Sequence, residues 1–103
     1  MTTYWITFRI ADARVGSKSY EDRYNALIEA IDTVATGFWG ETTSFIAFSS
    51  GKSIDTIAAA CKSAIAPTHD LFLIRVMDTK SAIICGKNED QDIFALMPYL
   101  KKL

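Results

Sequence analysis

The stretch from Tyr4 to Ile10, YWITFRI, constrains the fold most, because large apolar residues occupy every second position. The positions between them are mixed and hold Trp5, Thr7 and Arg9. Successive side chains of a strand point to opposite faces of a sheet, so the alternation predicts a strand with one strongly apolar face. Other elements of the chain must cover that face.

Two segments with helical spacing supply candidates for the cover. Ser19 is predicted to cap the first helix, with Asp22 in capping-box position, and Gly37 is expected to end it. Ser53 is predicted to cap the second helix, which Pro67 ends. Each helix carries one apolar stripe: Tyr20, Tyr24, Leu27, Ile28, Ile31 and Val34 in the first, and Ile54, Ile57, Ala58, Cys61 and Ile65 in the second.

The rest of the chain is rich in aromatic and β-branched residues, which favour strands. Strands are predicted over Phe38–Glu41, Thr43–Ser49, Leu71–Met77 and Ala82–Cys85. Residues 78–80 are expected to turn the chain, and residues 93–100 to form a short C-terminal helix. The order β-α-β-β-α-β, plus a short strand and a helix, predicts a single α+β domain over residues 1–103. Its expected architecture is a ferredoxin-like sandwich, an antiparallel sheet with helices on one face.

Composition narrows the function classes. The chain has 103 residues, half of them hydrophobic, and a formal net charge of -1, so bulk charge does not indicate duplex DNA binding. No apolar run approaches the roughly 18 residues that a membrane helix needs. Cys61 and Cys85 lack the spacing of a disulfide framework or a zinc site and are interpreted as buried thiols. We therefore expect a cytoplasmic protein with no membrane partner.

One set of strand residues points to the face of the sheet opposite the most apolar face, and this set also needs a cover. Exposed apolar patches usually mark an interface, and a two-fold dimer needs only one self-complementary surface. The sequence therefore predicts a homodimer through the sheet face, with an interface that contains Trp5, Arg9, Leu71, Leu73, Arg75 and Met77.

Four stretches carry a resemblance to a known superfamily: YWITFRI, YNALIEAID, FWGETTSFIAF and DLFLIRV. With their order, the chain resembles the ferredoxin-like superfamily that holds the small CRISPR-associated nuclease subunit and the VapD-type toxin ribonucleases. It looks closest to an uncharacterised SinR-like branch. The resemblance spans roughly residues 4 to 86 and rests on element order and apolar pattern.

The resemblance implies a dimer and a specific catalytic position. Nuclease members carry an aspartate at the end of the first strand, and two such carboxylates hold a divalent metal. In this chain Arg9 stands at that position, so the resemblance implies a non-catalytic assembly or nucleic-acid-associated module without a cofactor. The alternative is an endoribonuclease in which Asp12 of each subunit, three residues further on, binds Mg²⁺.

Four cations cluster around the connection from the first strand to the first helix: Arg9, Arg14, Lys18 and Arg23. One interpretation is a patch that binds the phosphates of RNA or DNA. The other is a solvated loop whose bases are offset by the interleaved acids Asp12, Glu21 and Asp22.

Three further features allow two interpretations each. Arg9 and Arg75 could together form an anion site, or each could pair with an acid such as Asp12 or Asp78. His69 could be a general base, although a place in a surface loop is favoured. Trp39, like Trp5, could stack on bases, although aromatic residues in short strands more often lie in a core or an interface.

Overall fold

The structure of the chain, a computed structural model, describes residues 1–78 and 80–103. The strands are β1 (Thr2–Arg9), β2 (Gly37–Trp39), β3 (Phe45–Ser50), β4 (Leu71–Val76), β5 (Ile83–Ile84) and β6 (Lys101–Lys102). The helices are α1 (Tyr20–Val34), α2 (Ile54–Ala64) and α3 (Asp92–Leu96). The turn predicted over residues 78–80 includes Thr79, which lies outside the described residues.

The main sheet has four strands in the order β2-β3-β1-β4, and every neighbouring pair is antiparallel. β1 lies in the interior of the sheet, with Ile6 opposite Ile46 of β3 on one side and Ile74 of β4 on the other. This order, with α1 and α2 as the two connecting helices, is the predicted ferredoxin-like sandwich. The prediction of the fold class is confirmed.

The alternation in β1 produces the main core. Tyr4, Ile6 and Phe8 are buried beneath α1 and α2, which contribute the fully buried Leu27, Ile31, Ile57 and Cys61. Both helices begin as predicted. Ser19 and Asp22 form a capping box on α1, and the Ser53 side chain accepts a hydrogen bond from the Thr56 backbone N–H.

The opposite face of the sheet carries a second, smaller core that the apolar pattern did not indicate. Trp39 of β2 and Ala47 of β3 are buried there against Ile93 and Leu96 of α3. The α3 helix therefore lies on the other face from α1 and α2 and covers the β2–β3 half of the sheet. A short parallel pair, β5 with β6, completes the C-terminal segment.

Several boundaries differ from the prediction. The α1 helix ends at Val34 rather than at Gly37, and Gly37 begins β2, where its backbone pairs with Ser49. The α3 helix ends at Leu96, because the chain leaves helical geometry before Pro98. Strand β6 was not predicted, since two lysines give no apolar signal. No helix in the described ranges combines the length and apolar character that a membrane span requires.

Candidate functional site

A buried ion pair lies between the loop that follows β1 and the loop that precedes β4. The Nε of Arg23, on α1, donates to Oδ2 of Asp70 at 2.8 Å, and both side chains are almost completely inaccessible to solvent. A second nitrogen of the guanidinium, Nη2, lies 3.3 Å from Oδ1 of the same carboxylate. The two side chains thus meet through two hydrogen bonds, the geometry in which arginine binds carboxylates best.

The remaining hydrogen-bonding capacity of this pair is used by the backbone of two loops. Arg23 donates to the carbonyl oxygens of Ala11, Ala13 and Lys18, each at 2.9 Å. Asp70 accepts from the backbone N–H groups of Ala11 and Ala66, also at 2.9 Å. The pair therefore holds the β1–α1 loop and the α2–β4 loop together.

The environment of Asp70 acts on its pKa in two directions. Burial raises the pKa of the carboxyl, whereas hydrogen bonds from Arg23, Ala66 and Ala11 lower it and prevail, so the pKa lies below its usual value. Asp70 is therefore ionised at neutral pH, and its charge is compensated within the corner.

Asp12 sits at the tip of a tight turn in the loop that this pair holds. The Ala13 N–H donates to the Ala11 carbonyl at 2.8 Å, which closes a three-residue γ-turn centred on Asp12. Both neighbours of Asp12 are thus bonded to Arg23 through their carbonyl groups, while Asp12 itself is exposed to solvent. The loop presents one exposed carboxylate on an anchored backbone.

The predicted cationic cluster divides into exposed and buried members. Arg9, Arg14 and Lys18 are exposed, and Arg14 donates to the Ser17 carbonyl. Arg23 is only 1 % exposed, so its assignment to a phosphate-binding surface is wrong. Its place in the sequence contained a signal for burial, because Arg23 lies four residues before Leu27 on the same helical face. The burial of Asp70 and its pairing with Arg23 were not predicted from the sequence.

The β1–β4 end of the second sheet face has no cover within the described residues. We define the open strip as five neighbouring residues of that face that are exposed to solvent: Thr7, Arg9, Leu71, Leu73 and Arg75. Leu71 and Leu73 are 57 % and 58 % exposed, a large fraction for leucines in a strand. They lie opposite Arg9 and Thr7 in the strand register. This part of the predicted interface is open.

Two other residues of the predicted interface are covered by the chain itself. Trp5 is half-buried and stacks on Phe45, with 6.1 Å between ring centroids. Met77 packs against the second core, beneath the C-terminal segment. Both are thus partly covered within the chain, because α3 and the segment that follows it lie over part of that face. Their place in a dimer interface stays a prediction.

The two arginines of the open strip differ in their partners. Arg75 lies 3.9 Å from Asp78, a long and exposed ion pair of the kind that contributes little to stability. Among the ion pairs of the described part of the chain, none includes Arg9. Arg75 therefore pairs with an acid, as the interpretation without an anion site predicted. Arg9 does not pair with Asp12.

The remaining candidates have ordinary roles. His69 is exposed in the α2–β4 loop, as favoured from the sequence. Trp39 is buried and its Nε1 donates to Oδ1 of Asn88, so it belongs to a core. Cys61 is fully buried, and burial raises the pKa of its thiol to about 11. Cys85 is exposed, so the prediction that both thiols are buried is wrong for this residue.

A metal site within one chain finds no support among the described residues. Nowhere in them do three His, Cys, Asp or Glu side chains come together as ligands for a metal ion. Asp12 is a single carboxylate with an oxygen chemistry suited to Mg²⁺, and a site built on it would need ligands from a second copy.

Comparison with known proteins finds no family model, no curated protein and no solved structure that matches the chain. The superfamily membership indicated by the four sequence stretches therefore stays a prediction.

Proposed function

We propose that the chain is a non-catalytic module of the CRISPR-associated and VapD-like kind, which forms a homodimer through the open end of its sheet. The observation that carries the proposal is the exposure of Leu71 and Leu73, both more than half accessible on the open strip. Apolar side chains gathered on an otherwise packed sheet are typical of association surfaces. The α3 helix covers the other half of this face, so the surface left for a partner is confined to β1 and β4.

Sedimentation velocity on the full chain over a range of concentrations tests the homodimer. We expect the unaltered protein to be a dimer and Leu73→Lys to be a monomer, because the lysine places a charge in the centre of the strip. Ile83→Lys is the matched control, since Ile83 is 66 % exposed but lies outside the strip. A protein that stays monomeric at every concentration, or a Leu73→Lys variant that still dimerises, would overturn the proposal.

The module associates with nucleic acid through exposed cations on the strip and in the loop that follows β1. Arg9, Arg14 and Lys18 are all exposed near the end of β1, and Arg9 has no acidic partner in the described part of the chain. Cations in such a cluster bind phosphates and release counterions from the nucleic acid. The assembly belongs in the cytoplasm, where the thiols of Cys61 and Cys85 stay reduced.

The salt dependence of binding to a single-stranded RNA measures how many phosphates the protein neutralises. Arg9→Glu, Arg14→Glu and Lys18→Glu together should weaken binding and flatten the plot of log affinity against log salt by about 0.7 for each phosphate that is no longer neutralised. Lys87→Glu is the control, because Lys87 lies in the C-terminal segment beside Glu89. Equal binding by the triple variant and the unaltered protein would remove the nucleic-acid part of the proposal.

The anchored turn around Asp12 favours a second candidate function, a metal-dependent endoribonuclease. An exposed carboxylate whose two neighbours are fixed by a buried ion pair has the pre-organisation that a metal ligand requires. Two Asp12 carboxylates across a dimer would then hold Mg²⁺. This candidate ranks second because Arg9 replaces the acid that the resemblance implies.

Cleavage of labelled RNA with magnesium, and with a chelator, separates the two candidates. Under the ribonuclease hypothesis, Asp12→Asn abolishes a magnesium-dependent cleavage that Asp32→Asn, an exposed acid on α1, leaves intact. Cleavage that persists in Asp12→Asn would reject Asp12 as the ligand. Absence of cleavage by the unaltered protein would support the non-catalytic module.

A further inference from the structure

The outer edge of β4 carries a row of backbone groups that no other described strand pairs with. β4 is the last strand of the sheet, and within the described residues its neighbour is β1 alone. The Met77 N–H donates to the Thr3 carbonyl, which fixes the odd-numbered residues of β4 as those that bond to β1. The Ser44 carbonyl accepts from Phe8, consistent with the even positions of β1 bonding to β3 instead. The N–H and C=O groups of Phe72, Ile74 and Val76 therefore point away from the sheet.

This edge lacks the features by which proteins keep an exposed strand from pairing. The six residues of β4, LFLIRV, contain no proline, and Arg75 is the one charged residue among them. Arg75 belongs to the odd-numbered set, so its backbone bonds to β1 and its side chain lies on the open strip. The edge itself presents half-buried or exposed apolar residues with outward-pointing hydrogen-bonding groups, which is the template for a further strand.

We propose that the partner strand is β4 of a second copy, paired antiparallel about a two-fold axis at Ile74, so that the two four-stranded sheets become one. This inference deepens the homodimer proposed above and rests on it. In this register Phe72 faces Val76 of the second copy and Ile74 faces its own equivalent. The pairing makes about six backbone hydrogen bonds, because each of the three outward-facing residues joins a hydrogen-bonded pair.

Side-chain contacts favour the same register. Leu73 lies opposite Arg75 of the second copy, so the aliphatic part of that arginine covers an exposed leucine and no two arginines meet. On the helix side, a groove of about 370 Å³ runs between α2 and β4 and is lined by Ala58, Ala59, Lys62 and Phe72 among others. In this register Val76 of the second copy lies beside Phe72, which lines this groove.

Cysteine crosslinking tests the register on the full chain, in a Cys85→Ser background that removes the exposed native thiol. Ile74→Cys places two thiols opposite each other with about 5.5 Å between Cα atoms, which a disulfide spans. Val76→Cys is the matched control, because it lies on the same face of β4 but is displaced by about 13 Å from its equivalent. We expect a covalent dimer on mild oxidation from Ile74→Cys and not from Val76→Cys.

Amide hydrogen exchange gives a second measurement that needs no substitution. In the dimer the N–H groups of Phe72, Ile74 and Val76 should exchange slowly, and dilution to monomer should make them fast. Those of Leu73 and Arg75 should stay protected at both concentrations, since they bond to β1.

The outcomes separate this inference from the homodimer on which it rests. A dimer by sedimentation in which Ile74→Cys forms no crosslink and the even-numbered amides exchange fast would overturn edge pairing and leave a dimer through the face of the open strip. Equal crosslinking of both cysteine variants would overturn the register. A protein that is monomeric at every concentration would overturn both the edge pairing and the proposed function.

Discussion

The buried corner around Arg23 and Asp70 and the open strip beside it distribute polarity in opposite ways. In the corner, two charged side chains are removed from water, while on the strip two leucines remain more than half exposed. Asp70 and Leu71 are consecutive residues, so the inversion occurs within one step of the chain. Burying a charge is costly unless the charge is paired. An exposed leucine does not contribute the free energy that its burial would provide.

This difference in polarity indicates that the corner and the strip have different roles. The corner is satisfied within one chain, because Arg23 and Asp70 use each other and the backbone of two loops. The strip is not, because nothing in the described part of the chain covers Leu71 or Leu73. We infer that the corner belongs to folding and loop positioning and that the strip belongs to association.

Asp70→Asn should have the largest effect on folding. Removing one member of a buried ion pair leaves the other charge uncompensated and costs about 3–5 kcal/mol. Asp78→Asn is the control, since it removes the partner of Arg75 in an exposed pair worth about 0–1 kcal/mol. Urea unfolding of both variants gives the free energies, and similar values for the two would break the distinction between corner and surface.

Replacement of both charges sharpens the same comparison. Apolar residues often replace a buried ion pair without loss of stability. Here Arg23→Met with Asp70→Leu should remain destabilised, because the carbonyl groups of Ala11, Ala13 and Lys18 would lose their donors. A double variant as stable as the unaltered protein would mean that packing, rather than backbone hydrogen bonding, is what the corner contributes.

The acid sensitivity of the corner follows from the direction of the Asp70 pKa shift. The folded-state pKa lies below the unfolded value of about 3.9, so the stabilisation is complete above that pH and is lost as the pH falls through the folded pKa. The free energy of unfolding should therefore decrease below about pH 4, and less steeply in Asp70→Asn. Equal slopes for the two proteins would assign the acid sensitivity to other groups, such as Asp22, whose pKa is also lowered.

The sequence was informative where one period governed a whole element. Alternation in β1 and the stripes of α1 and α2 predicted the sandwich, because those residues have a single apolar surface to bury. Capping at Ser19 and Ser53 was also predicted from the sequence, because a cap depends only on residues within one turn of the helix.

The candidate site was predicted less well because it depends on contacts between distant parts of the chain. Arg23 and Asp70 are 47 positions apart, and no local pattern showed that they meet. The cover that α3 provides for Met77 and Trp39 was missed for the same reason. By contrast, the exposed positions Arg9, Leu71 and Leu73 were identified correctly, because strand parity alone decides which face they occupy.

Leu73→Ser should have the smallest effect on the free energy of unfolding. A small effect would support the distinction between the corner, which belongs to folding, and the strip, which belongs to association. Because the side chain is 58 % exposed in the monomer, its removal should change the free energy of unfolding of the monomer by no more than about 0.5 kcal/mol. Urea unfolding at concentrations low enough to dissociate a dimer measures this value. If the variant were strongly destabilised as a monomer, Leu73 would be part of the fold and its exposure would be no argument for a partner. If the variant were as stable as the unaltered monomer but failed to dimerise, the leucine would be needed for association and not for folding.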